Sequence, residues 1–321
     1  MAEKPVLVTG GTGFVGANLA RRLLREGCQV HLLVRQGHAP WRLQGIEDKV
    51  QLHEVELTDR AALDLLVAQV RQEWIFHLAA YGAYSWQTDL RQMIQTNITG
   101  TANLLEACAQ AGFGAFVNTG SSSEYGAKDH APAEEENPEP NSHYACTKVA
   151  ATLLCRYTAQ DRNLNLATLR LYSVYGPYED PGRLFPALIR KGLQGELPPL
   201  VSPDTTRVYV YVEDVCDAYL LAASRPGQAP GVVYNVGTGV QTSLRQLVEL
   251  ARAELGSAAE PSWDSMPARI WDTSVWVADN CRIRQALGWE PRTVLKEGFK
   301  RTAEWFRQHI SLSPEEKGPQ R

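Results

Sequence analysis

Between an apolar segment, Val6–Val8, and an amphipathic one, Ala17–Arg25, lies the run Thr9-Gly-Gly-Thr-Gly-Phe-Val-Gly16. Glycines at 10, 13 and 16, placed where a strand ends and a helix begins, restrict what the chain can become. The first allows a tight turn, the second lets backbone N–H groups approach a pyrophosphate, and the third permits close helix–sheet packing. The helix start adds partial positive charge for an anion. The run predicts a dinucleotide site, with Gly10, Gly13, Phe14, Val15 and Gly16 around the phosphates.

Six short β-rich runs, Val6–Val8, Gln29–Val34, Val50–Glu54, Trp74–Leu78, Gly114–Thr119 and Leu166–Leu171, alternate with helical periodicity. Such alternation gives right-handed crossovers, a mainly parallel sheet, and ligands at the C-terminal strand ends. The expected fold is α/β, a doubly wound Rossmann sheet over residues 1–176. Residues 177–310, where Pro- and Gly-rich stretches interrupt the pattern, form a smaller substrate-binding region interleaved with that core, and 311–321 form a mobile tail.

A chain of 321 residues with 44% hydrophobic side chains fills such a core. A net charge of -4 argues against nucleic acid or an anionic membrane surface as partner. Without a cleavable leader or a long apolar run the expected compartment is the cytoplasm. Cys28, Cys108, Cys146, Cys155, Cys216 and Cys281 lie far apart with no metal-ligand spacing, so they read as reduced core residues, and no metal is expected.

Chemistry enters at Tyr144-Ala-Cys-Thr-Lys148, which opens a helical run. Residues four apart share a helix face. An ammonium beside a phenol favours the phenolate, lowering a pKa that starts near ~10 and readying Tyr144 to move protons. A hydroxyl partner is expected at the end of a preceding strand, where Ser121, Ser122 and Ser123 stand.

With these motifs the chain resembles the extended short-chain dehydrogenase/reductases, in the branch of nucleotide-sugar epimerases, dehydratases and reductases. Further segments carry the likeness across residues 5–310: His77-Leu-Ala-Ala80, Asn97-Ile-Thr-Gly-Thr101, Leu169-Arg-Leu-Tyr-Ser-Val-Tyr-Gly-Pro177, Arg207-Val-Tyr-Val-Tyr-Val-Glu-Asp-Val215, Tyr234-Asn-Val-Gly-Thr-Gly239 and Leu287-Gly-Trp-Glu-Pro291. The resemblance implies a nicotinamide cofactor and hydride transfer at a hexose carbon, usually C4, of a nucleoside-diphosphate sugar. It implies that Ser121 orients the reacting oxygen, Tyr144 is the acid/base and Lys148 binds the nicotinamide ribose. Leu57, Leu78, Ala79 and Ala80 line the cofactor site, Asn97 supports it structurally, and His77 is structural. Arg207 falls on the family's diphosphate-binding arginine, whose forked guanidinium suits that anion. Arg183 and Arg269 are phosphate candidates with the ordinary alternative of a surface charge. Ser122, Ser123 and Ser173 complete the expected substrate contacts, Ser173 replacing a frequent asparagine. A homodimer through paired helices is implied, with Asn97–Gln110 and Thr147–Gln160 as candidates.

Cofactor and reaction are read from departures. The second strand ends in Val34-Arg35 where an acid commonly meets the ribose, so Arg35, helped by Arg42, favours NADP(H), with NAD possible. Glu56 takes the place of a common aspartate near adenine. Ser123 stands where the branch's 4,6-dehydratases carry an acid, and water elimination needs that carboxyl. These departures order the expectations: an NADPH-dependent 4-keto-6-deoxysugar reductase first, a 4-epimerase second, a dehydratase third. An NADP(H)-sensing binding protein is the non-enzyme alternative. The loops Tyr81–Trp86, Tyr178–Phe185 and Pro261–Trp271 would shape the sugar and base pockets, with Trp86 and Trp271 as candidate lining.

Overall fold

The computed structural model describes residues 4–225, 229–267 and 273–309. In chain order the elements are β1 Pro5–Thr9, α1 Phe14–Arg25, β2 Gln29–Val34, β3 Val50–Glu54, α2 Arg60–Val70, β4 Trp74–His77, α3 Leu90–Ile94, α4 Gly100–Ala111 and β5 Ala115–Ser121. There follow α5 His143–Arg162, β6 Leu166–Leu171, β7 Ser173–Tyr175, α6 Leu184–Gly192, β8 Thr206–Tyr211, α7 Val212–Ser224, β9 Val232–Val236, β10 Gln241–Ser243, α8 Leu244–Leu255, α9 Cys281–Leu287 and α10 Leu295–His309.

Seven parallel strands run in the order β3-β2-β1-β4-β5-β6-β9. The order reverses between β1 and β4, which opens a crevice at the carboxyl ends of those strands. Side-chain alternation splits the core into two layers. Val6, Val8, Leu32, Phe76, Val117 and Leu169 meet α1, α7 and α9 on one face. Leu7, Leu33, Ile75 and Phe116 meet α2, α4 and α5 on the other.

The expected six strands are present with ends shifted by one or two residues, and β9 is a seventh. A smaller sheet, β10-β8-β7, packs with α6, α8 and α10 into a separate core around Tyr175, Phe185, Tyr209 and Phe299. All six cysteines are free thiols. The core expectation holds for Cys108, Cys155 and Cys216; Cys28 is half-buried, and Cys146 and Cys281 are exposed. The tail 311–321 lies outside the described residues.

Candidate active site

Steric necessity accounts for the glycines of the β1–α1 turn. Gly10 has φ +71°, and a Cβ there would sit 2.7 Å from the Ala79 nitrogen and the Leu78 carbonyl carbon. A Cβ on Gly16 would land on the Gly10 carbonyl oxygen. The Gly13 N–H donates to that oxygen at 2.9 Å, closing the turn. Gly13 is also the N-cap of α1, which has no side-chain cap and no acid in its first turn. A helix start with open N–H groups and no competing carboxylate fits the pyrophosphate of a dinucleotide.

A buried hydrogen-bond chain fixes the floor beneath that turn. The Ala79 N–H donates to Thr9 Oγ1 at 3.2 Å, and Thr9 Oγ1 lies 2.7 Å from His77 Nδ1. On the other side of the ring, His77 Nε2 lies 2.9 Å from Thr101 Oγ1, whose hydrogen goes to the Asn97 carbonyl at 2.7 Å. Thr101 has one hydrogen, already used, so Nε2 carries the ring proton and Thr9 donates to Nδ1. Burial, helped by the nearby Lys148 charge, pulls the His77 pKa down to about 3 and keeps the ring neutral. His77 is structural, as expected.

Asn97 extends the same framework. It sits in a π-helical turn, Gln95–Thr99, between α3 and α4. Its side chain accepts from the Tyr81 N–H at 2.8 Å and donates to the Tyr81 carbonyl at 2.8 Å and Thr147 Oγ1 at 2.9 Å. The loop after β4 is thereby tied to α5, one residue before Lys148.

Ser121 ends β5 and caps a 3-10 turn, Ser122–Tyr125. Its Oγ lies 2.7 Å from Ser123 Oγ and accepts the Ser123 N–H at 3.2 Å. In return Glu124 Oε1 accepts the Ser121 N–H at 2.8 Å, a reciprocal capping box. Glu124 is fully buried, its Oε1 shared between the Ser121 N–H and Thr152 Oγ1 at 3.1 Å and its Oε2 2.9 Å from Arg170 Nε. Tyr144 begins α5 behind the N-cap Ser142, and Lys148 is buried one turn further on.

The expected lowering of the Tyr144 pKa is corrected here. Desolvation pushes the phenol up to about 12, and Ser121, facing it, offsets part of the rise. Burial in turn lowers the Lys148 pKa, against an opposing pull from Glu124. Desolvation of the phenol thus outweighs the favourable influence that helical spacing alone suggests.

Arg35 is exposed beyond β2, and Val34 is buried at the strand end. Arg42 is no helper there: it is buried, donates from Nε to the Tyr178 carbonyl at 2.8 Å and from Nη1 to the Thr12 carbonyl at 3.5 Å, and pairs with Asp180 at 3.7 Å. Asn18 donates to the Pro177 carbonyl at 2.9 Å. The segment after β7 is thus strapped across the glycine turn. Glu56 is exposed, and buried Leu57 packs close to Gly100.

On the substrate side, Ser122 is buried, Ser173 is half-buried on β7, and the Arg207 guanidinium lies 5.3 Å from the Trp276 ring centre. Arg183 is exposed, with its guanidinium 5.8 Å from the Tyr84 ring centre and Nε 3.9 Å from Glu179 Oε1. Trp86 is exposed and stacks on Tyr84 at 4.5 Å. Arg269 and Trp271 lie outside the described residues. A small cavity of about 10 Å³ between Ser122, Tyr172 and Trp276 was not foreseen. The Tyr172 hydroxyl and Trp276 Nε1 are buried there without hydrogen-bond partners. The cavity leaves no sign in the sequence, because it joins residues 122–132, Tyr172 and residues 275–277, which are remote from one another along the chain.

An uncapped glycine turn at the switch point, with Ser121 facing Tyr144 where β5 ends and α5 begins and Lys148 buried one turn on, is an arrangement of the Rossmann class that fits a nicotinamide dinucleotide. The chain belongs to the NAD dependent epimerase/dehydratase family, whose family model matches residues 6–237. It is similar to the UDP-glucose 4-epimerase of Mycolicibacterium smegmatis, 35% identical over 94% of this chain and 98% of that one. A UDP-glucose 4-epimerase of Thermotoga maritima, solved with UDP-glucose, superposes with a TM-score of 0.86 at 29% identity, covering 95% and 99% of the two chains. The dTDP-glucose 4,6-dehydratase DesIV of Streptomyces venezuelae, solved with NAD, gives 0.85 at 25% identity, covering 96% and 98%. The chain is therefore an enzyme of nucleotide-sugar chemistry that uses a nicotinamide cofactor.

Proposed function

We propose that the protein is an NAD-dependent 4-epimerase of a nucleoside-diphosphate hexose. The observation that carries this over dehydration is the state of the segment after β5. Ser122 and Ser123 are neutral, and Glu124, the segment's carboxylate, is fully buried and engaged by the Ser121 N–H, Arg170 and Thr152. Eliminating water needs a carboxyl facing the sugar. The family likeness to 4-epimerases supports the same choice.

In this reading the Gly10–Gly16 turn, Leu57 and Leu78–Ala80 hold the dinucleotide, and Lys148 holds its nicotinamide ribose. The bound NAD supplies a hydride acceptor and, once reduced, a donor. Ser121 orients the sugar oxygen and Tyr144 exchanges its proton. Because desolvation keeps the Tyr144 proton on at neutral pH, the free protein presents an acid, and the base form belongs to the loaded site. Arg207, Arg183 and Arg269 neutralise the diphosphate. Exposed Leu153 and Tyr157 on α5 support pairing of two copies through that helix.

The second reading, an NADPH-dependent 4-keto-6-deoxysugar reductase, draws on buried Val34 and exposed Arg35 at the β2 end, which leave no acid for the ribose. One experiment separates the two. Purified protein is denatured and its released nicotinamide identified, while intact protein is assayed with UDP-glucose for the C4 epimer and with 4-keto-6-deoxysugars for NADPH oxidation. Retained NAD with epimer formed and no net redox change is expected. Exchangeable NADP(H) consumed with a ketosugar establishes the reductase, and cofactor binding without turnover on any nucleotide sugar points to a sensing protein.

A further inference from the structure

Glu179 is a carboxylic acid that the mechanism above leaves unused. It lies in the strap after β7, is 5% exposed, and its Oε2 is buried with no hydrogen-bond partner. Glu179 Oε1 is 3.9 Å from Arg183 Nε, too far for a hydrogen bond. The charged and titratable groups bearing on it come from every side: Arg183 and Asp180 on its own strap, Arg42 beyond β2, Tyr84 in the loop after β4, and Tyr209 on β8. Arg183 stands between Glu179 Oε1, at 3.9 Å, and the Tyr84 ring, 5.8 Å from its centre, and both Tyr84 and Arg183 act on the Tyr144 phenol, so one cluster joins Glu179 to the surroundings of Tyr144.

We propose that Glu179 is a substrate-binding residue whose unpartnered Oε2 hydrogen-bonds an oxygen of the bound nucleotide sugar. The proposal rests on the nucleotide-sugar reading above. A buried oxygen without a hydrogen-bond partner costs stability, and a ligand that satisfies it recovers that cost on binding. Burial, reinforced by Asp180 and only partly countered by Arg183 and Arg42, pushes the Glu179 carboxyl up to about 8. At neutral pH it is therefore the neutral acid, with one O–H to donate. Phosphate and sugar oxygens are the matching acceptors. Above pH 8 the ionised form would set a carboxylate against an anionic ligand and lose the donor. Glutamine has the same shape and keeps a donor at every pH.

The test measures binding without turnover, by titration calorimetry of UDP-glucose into Tyr144→Phe protein carrying its cofactor, alone and combined with Glu179→Gln or Glu179→Ala, from pH 6.5 to 9.5. The expected affinity falls about five- to tenfold on the alkaline side in the parent, stays level in Glu179→Gln, and is about tenfold lower throughout in Glu179→Ala, the worth of one hydrogen bond. Equal affinity and the same pH profile in all three would overturn the proposal. The infrared carbonyl band of a protonated carboxyl is read on the same ligand-free proteins at pH 7. A band lost in Glu179→Gln is expected, and no difference between the two proteins rejects the neutral acid whatever the ligand. Loss of UDP-glucose binding in the parent with the band intact refutes the nucleotide-sugar reading instead.

Discussion

The floor of the cleft and its facing wall are built from similar polar residues put to opposite use. Under the glycine turn, Thr9, His77, Thr101 and Asn97 are linked donor to acceptor, and the chain ends on backbone carbonyls. Across the cleft Glu179 Oε2 is buried without a hydrogen-bond partner, and so are Tyr172 Oη and Trp276 Nε1 in the cavity beside Ser122. A satisfied network holds one geometry and pays its desolvation within the protein. An unsatisfied wall leaves part of that cost for a ligand to relieve. The contrast suits an enzyme that holds one cofactor rigidly below and discriminates among sugars above.

Tyr144→Phe tests the floor most severely, since it removes the transferable proton and little else. Turnover should fall about 10²- to 10⁴-fold with the melting temperature unchanged. Normal turnover in a folded variant would sink the assignment. Gly16→Ala drives a methyl onto the Gly10 carbonyl and should cost about 3 kcal/mol or more, with loss of the retained cofactor, read by denaturant unfolding and absorbance.

His77→Phe leaves Thr9 and Thr101 without their partner and should cost about 2 kcal/mol at pH 7. Its pH dependence carries a sign. In the folded protein His77 resists protonation down to about 3, whereas the unfolded chain takes a proton near the ordinary value of 6.5. The parent must therefore lose stability as pH falls through that window, and the phenylalanine variant should lose less between pH 7 and 5.

Glu179→Gln probes the wall by the opposite slope. The fold holds a proton up to about 8 that the unfolded chain releases from the ordinary 4.5, so parent stability declines as pH rises between them. The glutamine protein should be flatter over that range in urea titrations. The smallest effect is expected at Arg35, whose exposed side chain should change NAD affinity by less than about threefold on truncation to alanine. A selective loss of NADP binding would instead favour the reductase.

The floor was legible in the sequence because local rules produce it. Glycine spacing, strand alternation and the helical interval from Tyr144 to Lys148 are short-range patterns, and they placed β1 to β6 within two residues. The wall was not legible, because burial there depends on residues remote in sequence. Gly176–Pro186 reads as a loop, and only the packing of Tyr84 and Tyr209 around it makes Glu179 an acid with a raised pKa. Spacing placed Lys148 on the face of Tyr144, yet the desolvation that governs both groups is a property of the assembled cleft. The strand β9 was missed for a similar reason, since it lies far in sequence from the strand it joins, β6.

The π-helical turn at Gln95–Thr99 makes this region sensitive to deletion. A π turn contains one residue more than the α-helix around it, so losing any single residue there would restore regular winding. Each residue of an α-helix advances the chain by about 100°. Such a deletion would swing Asn97 off Tyr81 and Thr147 while leaving the composition of the helix nearly untouched. The grip of this side chain on the cleft is thus encoded in the length of the segment as much as in its chemistry.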